Sequence, residues 1–197
     1  GTYTFSVRDS QECTTTYTRT ITQPTALVAS ASVAHPTCWD GSDGSVTLSS
    51  TGGTGSKLYS INGITYYTSA TFSNLSVGSY TGYVKDSNAC VDTVSFTLSK
   101  SKPSATVTSS NPLCNGDRGS IEISNPTGGN GGGTFSNYQV KLDSGSWINF
   151  SSTSYLFTGV SVANHTVYLR DQDECTRSYS VTISQPSAIT ISDSHTD

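Results

Sequence analysis

The feature that most constrains the fold is a tandem repeat, which becomes visible when the chain is aligned on three of its cysteines. The segments GTYTFSVRDSQEC, GSYTGYVKDSNAC and ANHTVYLRDQDEC superimpose without a gap and end at Cys13, Cys90 and Cys175. Each carries an aspartate four residues before its cysteine and leads through an alternating segment to a proline. The aspartates are Asp9, Asp86 and Asp171, and the prolines are Pro24, Pro103 and Pro186. Self-similarity of this kind indicates a repeat architecture.

The front half of the repeat is also duplicated, around Cys38 and Cys114. CWDGSDGSVTL from Cys38 matches CNGDRGSIEI from Cys114 with one residue of slippage, and a double glycine follows each cysteine at the same distance. The repeats predict the following segments. Residues 1–24 form the C-terminal part of a truncated repeat, 25–103 and 104–187 are complete β-sandwich repeats, and 188–197 begin the next one.

Each complete repeat is predicted to be a small β-sandwich. Short runs rich in Val, Ile, Thr and Tyr are separated by turn residues such as Asn62-Gly63. The predicted strands lie near 26–33, 45–50, 57–62, 65–72, 79–86 and 92–99, then near 105–109, 119–124, 136–143, 146–150, 155–158, 165–171 and 177–184. This spacing favours an all-β fold of tandem immunoglobulin-like or fibronectin-like sandwiches. Alternation places Val46, Leu48, Val94, Phe96 and Leu98 on the inward faces.

Composition fits β-modules with thin cores and excludes two classes of partner. Hydrophobic residues make up 33% of the chain and charged residues 12%, and the net charge is −4. Nucleic-acid binding requires clustered Lys and Arg, which this acidic chain does not supply. No run of about twenty apolar residues is present, so we expect no membrane insertion within this segment.

Five cysteines in a Ser/Thr-rich chain indicate one disulfide in each repeat. We expect Cys38 to pair with Cys90 and Cys114 with Cys175, and the partner of Cys13 to lie outside the chain. Such bridges predict an oxidising, extracellular location. The alternative is a cytosolic protein whose cysteines are buried and reduced.

Candidate binding residues are few, and no residue pattern indicates catalysis or zinc binding. The cofactor prediction is none, with calcium as the alternative, because Asp40, Asp43, Asp86 and Asn88 are oxygen donors in turns; Asp in turns, however, normally accepts backbone N–H groups. Trp39 and Trp147 are candidates for stacking on sugars, although such rings more often belong to cores or strand pairs.

Taken together, the motifs CWDGSDGSVTL, GGTG and LSVGSYTxxVKDSNAC resemble the SprB-type repeats of Bacteroidota cell-surface gliding adhesins. The resemblance implies a structural segment of a long adhesin filament, associated with the outer membrane and exported by type IX secretion. It implies neighbouring repeats, extracellular polysaccharide and the gliding and secretion machinery as partners, and no enzymatic activity. Thr93 lies in a short pattern that resembles a Bacteroidota O-glycosylation acceptor. The alternative is a string of carbohydrate-binding or spacer modules attached to a secreted Bacteroidota enzyme.

Overall fold

The computed structural model describes residues 1–131, 134–150 and 152–193, and over these ranges the fold is all-β. The only helical element within them is one turn of 3-10 helix at Phe135–Asn137. The strands are β1 (Thr2–Arg8), β2 (Thr14–Thr20), β3 (Val28–Ala34), β4 (Gly44–Thr51), β5 (Leu58–Ser60), β6 (Thr71–Leu75), β7 (Gly78–Lys85), β8 (Val91–Leu98), β9 (Ser104–Ser110), β10 (Gly119–Thr127), β11 (Gln139–Leu142), β12 (Ile148–Asn149), β13 (Ser154–Val160), β14 (Asn164–Arg170) and β15 (Thr176–Thr182). In this described part of the chain, no helix is long and apolar enough to cross a membrane.

The chain separates into two compact units whose limits differ from those of the sequence repeats. Unit 1 comprises Gly1–Val33, Val46–Ser73 and Ser79–Thr97, and unit 2 comprises Ala34–Ser45, Asn74–Gly78 and Leu98–Asp197. Two loops of the first repeat therefore belong with unit 2. The repeat boundaries stay predictions from the sequence, and residues 194–197 of the last predicted segment lie outside the described ranges.

Unit 2 contains a β-sandwich. One sheet has the order β13-β10-β9 and the other has the order β12-β11-β14-β15. Both sheets contribute to a single core, whose buried residues are Ile121, Ile123, Tyr138, Val140, Phe150, Val160, Val167, Leu169 and Ile183. Two antiparallel sheets that share one core in this way confirm the predicted fibronectin-like sandwich.

Strict alternation in the sequence explains which side chains enter this core. Along β14, His165, Val167 and Leu169 point inward and are buried, whereas the residues between them are half-buried or exposed. Since successive side chains in a strand point to opposite faces, one apolar face per strand is enough to build the sandwich.

The strands of the first repeat form two three-stranded sheets, ordered β3-β4-β6 and β5-β7-β8. The residues predicted to point inward are buried, with Val46, Leu48, Phe96 and Leu98 at most 9% exposed, whereas Val94 is half-buried. Packing is close in this region, because a Cβ at Gly82 would come within 2.5 Å of the Leu48 side chain.

The predicted strand at 65–72 is wrong over most of its length. Only Tyr67 pairs with Tyr59, and β6 begins at Thr71. The cause is local, because the Asn62 side-chain oxygen accepts the N–H groups of Ile64 and Thr65. Side-chain bonds of this kind hold the loop in a turn and compete with strand pairing.

An ion pair joins the buried His165 on β14 to the exposed Asp143 in the turn between β11 and β12. His165 donates from Nδ1 to Asp143 at 2.7 Å, and its Nε2 lies 2.9 Å from the Ser161 carbonyl oxygen, so both nitrogens have acceptors when the ring is protonated. The hydrogen bond to Asp143 and the Ser161 carbonyl raise the pKa of His165 above its ordinary value of 6.5.

This pair predicts a pH dependence. Because the folded pKa of His165 exceeds the unfolded pKa, its contribution to stability is fully present below about pH 6.5 and is lost as the pH rises through the folded pKa. The loss is on the order of 1 kcal/mol for each unit of pKa difference. His165→Tyr places the residue found at the matching position Tyr80, and denaturant unfolding should then lack this alkaline loss. An unchanged pH profile in the variant would contradict the assignment.

The core makes a second prediction. Leu169→Ala should lower the free energy of unfolding by about 2–5 kcal/mol, because a fully buried leucine leaves a cavity. Leu156→Ala is the matched control, since Leu156 is 53% exposed, and it should cost less than about 0.5 kcal/mol. If urea titrations gave equal losses of unfolding free energy for the two variants, Leu169 would not belong to the core.

Candidate functional site: the disulfide junction

Three hairpins close with the same five-residue turn, which we call the end turn: Asp9–Cys13, Asp86–Cys90 and Asp171–Cys175. In each, the aspartate N–H donates to the cysteine carbonyl at 2.9–3.2 Å, and the cysteine N–H donates to the aspartate Oδ1 at 2.9–3.0 Å. The residue before each cysteine has a positive φ of 63–68°. The sequence repeat is therefore a structural repeat, with a cysteine fixed at the same point of each hairpin.

The aspartate of the end turn also anchors the double-glycine loop. Its second oxygen accepts the N–H of Thr54 at 2.8 Å in the first repeat and that of Asn130 at 2.8 Å in the second. Gly53 and Gly129 have positive φ, and a Cβ at Gly129 would overlap the Asp171 carboxylate. The double glycine and the aspartate therefore form one structural motif, although they lie far apart in the sequence.

The front cysteines lie in a second shared turn, which we call the front turn. The Cys38 carbonyl accepts the Gly41 N–H at 3.0 Å, and the Cys114 carbonyl accepts the Asp117 N–H at 3.3 Å. The first follows β3 and the second follows β9, so both occupy the same place in their repeats.

A disulfide joins the front turn of the first repeat to the end turn of the second. Cys38 and Cys175 are bonded, with 5.4 Å between their Cα atoms and a sequence separation of 137 residues. Both lie in unit 2. The predicted pairs Cys38–Cys90 and Cys114–Cys175 are wrong, and Cys13, Cys90 and Cys114 are free and exposed.

Strand length explains why the two cysteines of one repeat do not pair. Cys175 immediately precedes β15, whereas Asn111, three residues before Cys114, binds Ser184 beyond the other end of that strand. A seven-residue strand is about 23 Å long, and a disulfide needs Cα atoms within about 7 Å of each other. The two cysteines of the second repeat therefore lie at opposite ends of their sandwich.

The first repeat has the same arrangement. Cys90 immediately precedes β8, whereas His35, three residues before Cys38, accepts the N–H of Ser99 just beyond the end of that strand. The end turn of the following repeat, by contrast, carries its cysteine to Cys38. The sequence alone did not give the strand directions, and this is why it suggested the wrong pairs.

Charged and aromatic contacts surround the bridge. Lys100 forms an ion pair with Asp173 at 2.9 Å, and Asn130 donates to the other oxygen of Asp173 at 2.9 Å. Lys100, and to a smaller extent Asn130, lower the pKa of Asp173. The ammonium of Lys102 lies 3.8 Å from the centre of the Trp39 ring, a distance typical of a cation–π contact. The disulfide, the ion pair and the Trp39–Lys102 contact together form what we call the disulfide junction.

Two of the four calcium candidates, Asp43 and Asp86, have protein partners in this structure. Asp86 accepts N–H groups from Thr54, Asn88 and Cys90, and these bonds, led by that from Thr54, lower its pKa. Asp43 accepts the hydroxyl and N–H of Thr37, which lower its pKa. Asp40 and Asn88 are exposed. The described residues contain no group of three or more His, Cys, Asp or Glu side chains able to hold a metal ion. The prediction of no cofactor, with calcium as the alternative, stays a prediction.

The two tryptophans are half-buried, and cationic side chains lie over their rings. Trp39 is covered by Lys102, whereas Trp147 has Arg170 at 4.4 Å and Lys141 at 5.0 Å from its ring centre. Sugar stacking would require these side chains to move. Thr93 is exposed on β8. Glycan binding at Trp39 and Trp147 and O-glycosylation at Thr93 stay predictions.

Comparison with known proteins agrees with the sequence motifs. The SprB repeat family model matches residues 30–65, which include the front turn and the first double glycine. This match confirms the predicted resemblance to SprB-type repeats. A solved structure described as "Structures of Clostridium thermocellum CbhA fibronectin(III)-like modules" aligns with 86% of this chain and 100% of its own, at 16% identity and a TM-score of 0.31. No curated protein sequence matches the chain.

The fold and the family match define a class of protein. SprB repeats occur in cell-surface proteins, and repeat modules of this kind are typically non-catalytic. These findings support a repeat or spacer module of a surface protein for the matched segment.

The junction predicts a selective effect of cysteine removal. Cys38→Ser should destabilise unit 2 by about 5 kcal/mol, because the bridge closes a loop of 137 residues. Cys90→Ser is the matched control, since Cys90 is free and exposed, and it should change stability by less than about 0.5 kcal/mol. Guanidinium unfolding without reductant measures both. Equal losses would show that Cys90 is also bonded.

The end-turn motif gives a further prediction. Asp171→Ala should cost about 2–4 kcal/mol, because the N–H groups of Asn130, Asp173 and Cys175 lose a charged acceptor. Asp9→Ala removes only turn bonds to Gln11 and Cys13 on an exposed hairpin. Its cost in the same unfolding assay should be less than half as large, and a larger cost would contradict the anchoring role of Asp171.

Proposed function

We propose that this chain is a structural segment of a long adhesin filament at the cell surface, whose successive repeats are tied together by disulfide junctions. The observation that carries the proposal is the Cys38–Cys175 bridge, which links cysteines from successive sequence repeats. The SprB match supports a surface location, and a stable disulfide suits an extracellular setting.

The bridge suits a chain that bears tension. It encloses 137 of the 197 residues, so only about 60 residues can be pulled out while it is intact. Tension applied to the two ends passes through the sulfur–sulfur bond and bypasses the strands that the bridge encloses. The parts of both repeats between Cys38 and Cys175 are thereby protected from full extension, whereas β3 and β15 lie outside the bridge.

Different observations support the different partners proposed for the filament. Neighbouring repeats follow from the junction and the tandem sequence. Extracellular polysaccharide, the gliding motor, outer-membrane association and type IX secretion follow only from the SprB resemblance. The alternative, a string of carbohydrate-binding modules of a secreted enzyme, depends on Trp39 and Trp147, whose ring faces already carry cations.

Single-molecule pulling from the two ends tests the mechanical role. Without reductant, full extension should lengthen the chain to roughly 210 Å, and with reductant to roughly 690 Å, at about 3.5 Å per residue. Cys38→Ser should give the longer value in both conditions, whereas Cys90→Ser should behave like the unmodified chain.

Other lengths would contradict the proposal. Two bridges within single repeats would give roughly 300 Å without reductant. A chain that reaches roughly 690 Å without reductant has no disulfide that limits its extension. This result would contradict the proposed mechanical role.

A further inference from the structure

The three free cysteines occupy the same motif positions as the two bonded ones. Cys114 lies in a front turn like Cys38, whereas Cys90 and Cys13 lie in end turns like Cys175. If each front cysteine bonds to the end cysteine of the next repeat, then Cys38–Cys175 is the only pair this chain can complete. One rule thus accounts for all five cysteines.

We infer that Cys114 is a cross-linking site for the end-turn cysteine of a following repeat, and that Cys90 is the reciprocal site for the front cysteine of a preceding repeat. The inference rests on the proposed function and extends it. One observed bridge becomes the unit of a disulfide ladder in which each cross-link spans two successive repeats.

The backbone around Cys114 already has the shape found at the bonded junction. The front turn is the same, and the residues after the cysteine again contact the proline linker. At the bonded junction Trp39 lies under Lys102. At Cys114 the matching residue Asn115 donates to the Pro186 carbonyl at 2.9 Å, and the Gly116 N–H donates to the Gln185 side chain at 2.9 Å. Different side chains therefore hold the linker against the front turn in both places.

The surface beside Cys114 is apolar and uncovered. Leu113 and Ile189 are 93% and 95% exposed, and with Cys114 they line an open groove bounded by Pro186. At the bonded junction, Cys175 is only 3% exposed, and its sulfur lies 3.4 Å from the carbonyl oxygen of Thr37, the residue that matches Leu113. An arriving end turn would cover this groove in the same way. Exposed apolar groups of this kind typically mark an interaction surface.

The end-turn half of the site is equally well formed. Asp86 holds the Cys90 backbone through the same pair of hydrogen bonds that Asp171 makes to Cys175. Both cysteines are therefore presented by rigid turns. Such a thiol needs little further ordering when a front cysteine reaches it.

The chemistry is a two-electron oxidation. A sulfur–sulfur bond forms between Cys114 and the incoming cysteine, and the two thiols give up two protons and two electrons. A small-molecule or protein disulfide accepts them and is reduced to two thiols by thiol–disulfide exchange.

A chain extended by one repeat tests the inference. Residues 1–187 are followed by a second copy of residues 105–197, which is in register because Ser187 matches Ser104. The copy carries Cys114→Ser, so that the chain contains a single Cys114, and Thr176→Ser, so that its Cys175 peptide is lighter by one methylene group. The chain is refolded with reduced and oxidised glutathione, alkylated and mapped by mass spectrometry without reduction.

The expected result is Cys114 joined to the marked Cys175 peptide and Cys38 joined to the unmarked one, each at least tenfold above the corresponding free thiol. In the matched control with Cys114→Ser, the marked Cys175 should be recovered alkylated while Cys38 stays bonded.

Two results would overturn the inference. One is Cys114 recovered as a free thiol or joined to the unmarked Cys175 of its own repeat. The other is a marked Cys175 that finds another partner in the Cys114→Ser control. If Cys114 stays free while Cys38–Cys175 forms, the ladder fails and the proposed function stands. Loss of the Cys38–Cys175 bridge itself would overturn both.

Discussion

The length of a β-strand decides how this chain is cross-linked. Each repeat carries one cysteine just before its last strand and another in a loop near the far end of that strand. At about 3.3 Å per residue, strands of seven or eight residues hold these two sulfurs beyond bonding distance. A cysteine of one repeat can therefore bond only where another repeat approaches the same end. The sandwich fold, rather than cysteine chemistry, directs the bridge from one repeat to the next.

The accuracy of this placement depends on the aspartate of the end turn. One carboxylate accepts backbone N–H groups from its own turn and from the double-glycine loop, and thereby fixes the cysteine that follows. Charged acceptors form the stronger class of hydrogen bonds, and their loss leaves buried donors unpaired. Asp86, one of the side chains that suggested calcium, is likewise occupied by the backbone N–H groups of Thr54, Asn88 and Cys90. These hydrogen-bonded turns make the domain rigid, although its hydrophobic core is small.

The sequence predicted the fold well because its signals are local. Alternating residues located Val46, Leu48, Phe96 and Leu98 correctly, and the repeat located both turns and the double glycines. It failed where the answer depends on how distant segments meet. The contact between Asp171 and Gly129 and the partner of Cys38 both require the strand directions. The bonds of Asn62 that hold Ile64 and Thr65 in a turn are local, and the alternation of residues did not reveal them. The repetition of the motifs suggested two bridges, one within each repeat, whereas the structure has one bridge between successive repeats.

The most direct test of this account is a disulfide map of the 197-residue chain itself. Non-reducing proteolysis after alkylation should yield one linked pair of peptides, containing Cys38 and Cys175, together with alkylated Cys13, Cys90 and Cys114. Recovery of Cys38 linked to Cys90, or of Cys114 linked to Cys175, would contradict it, because the strand geometry that separates the cysteines of one repeat would then be wrong.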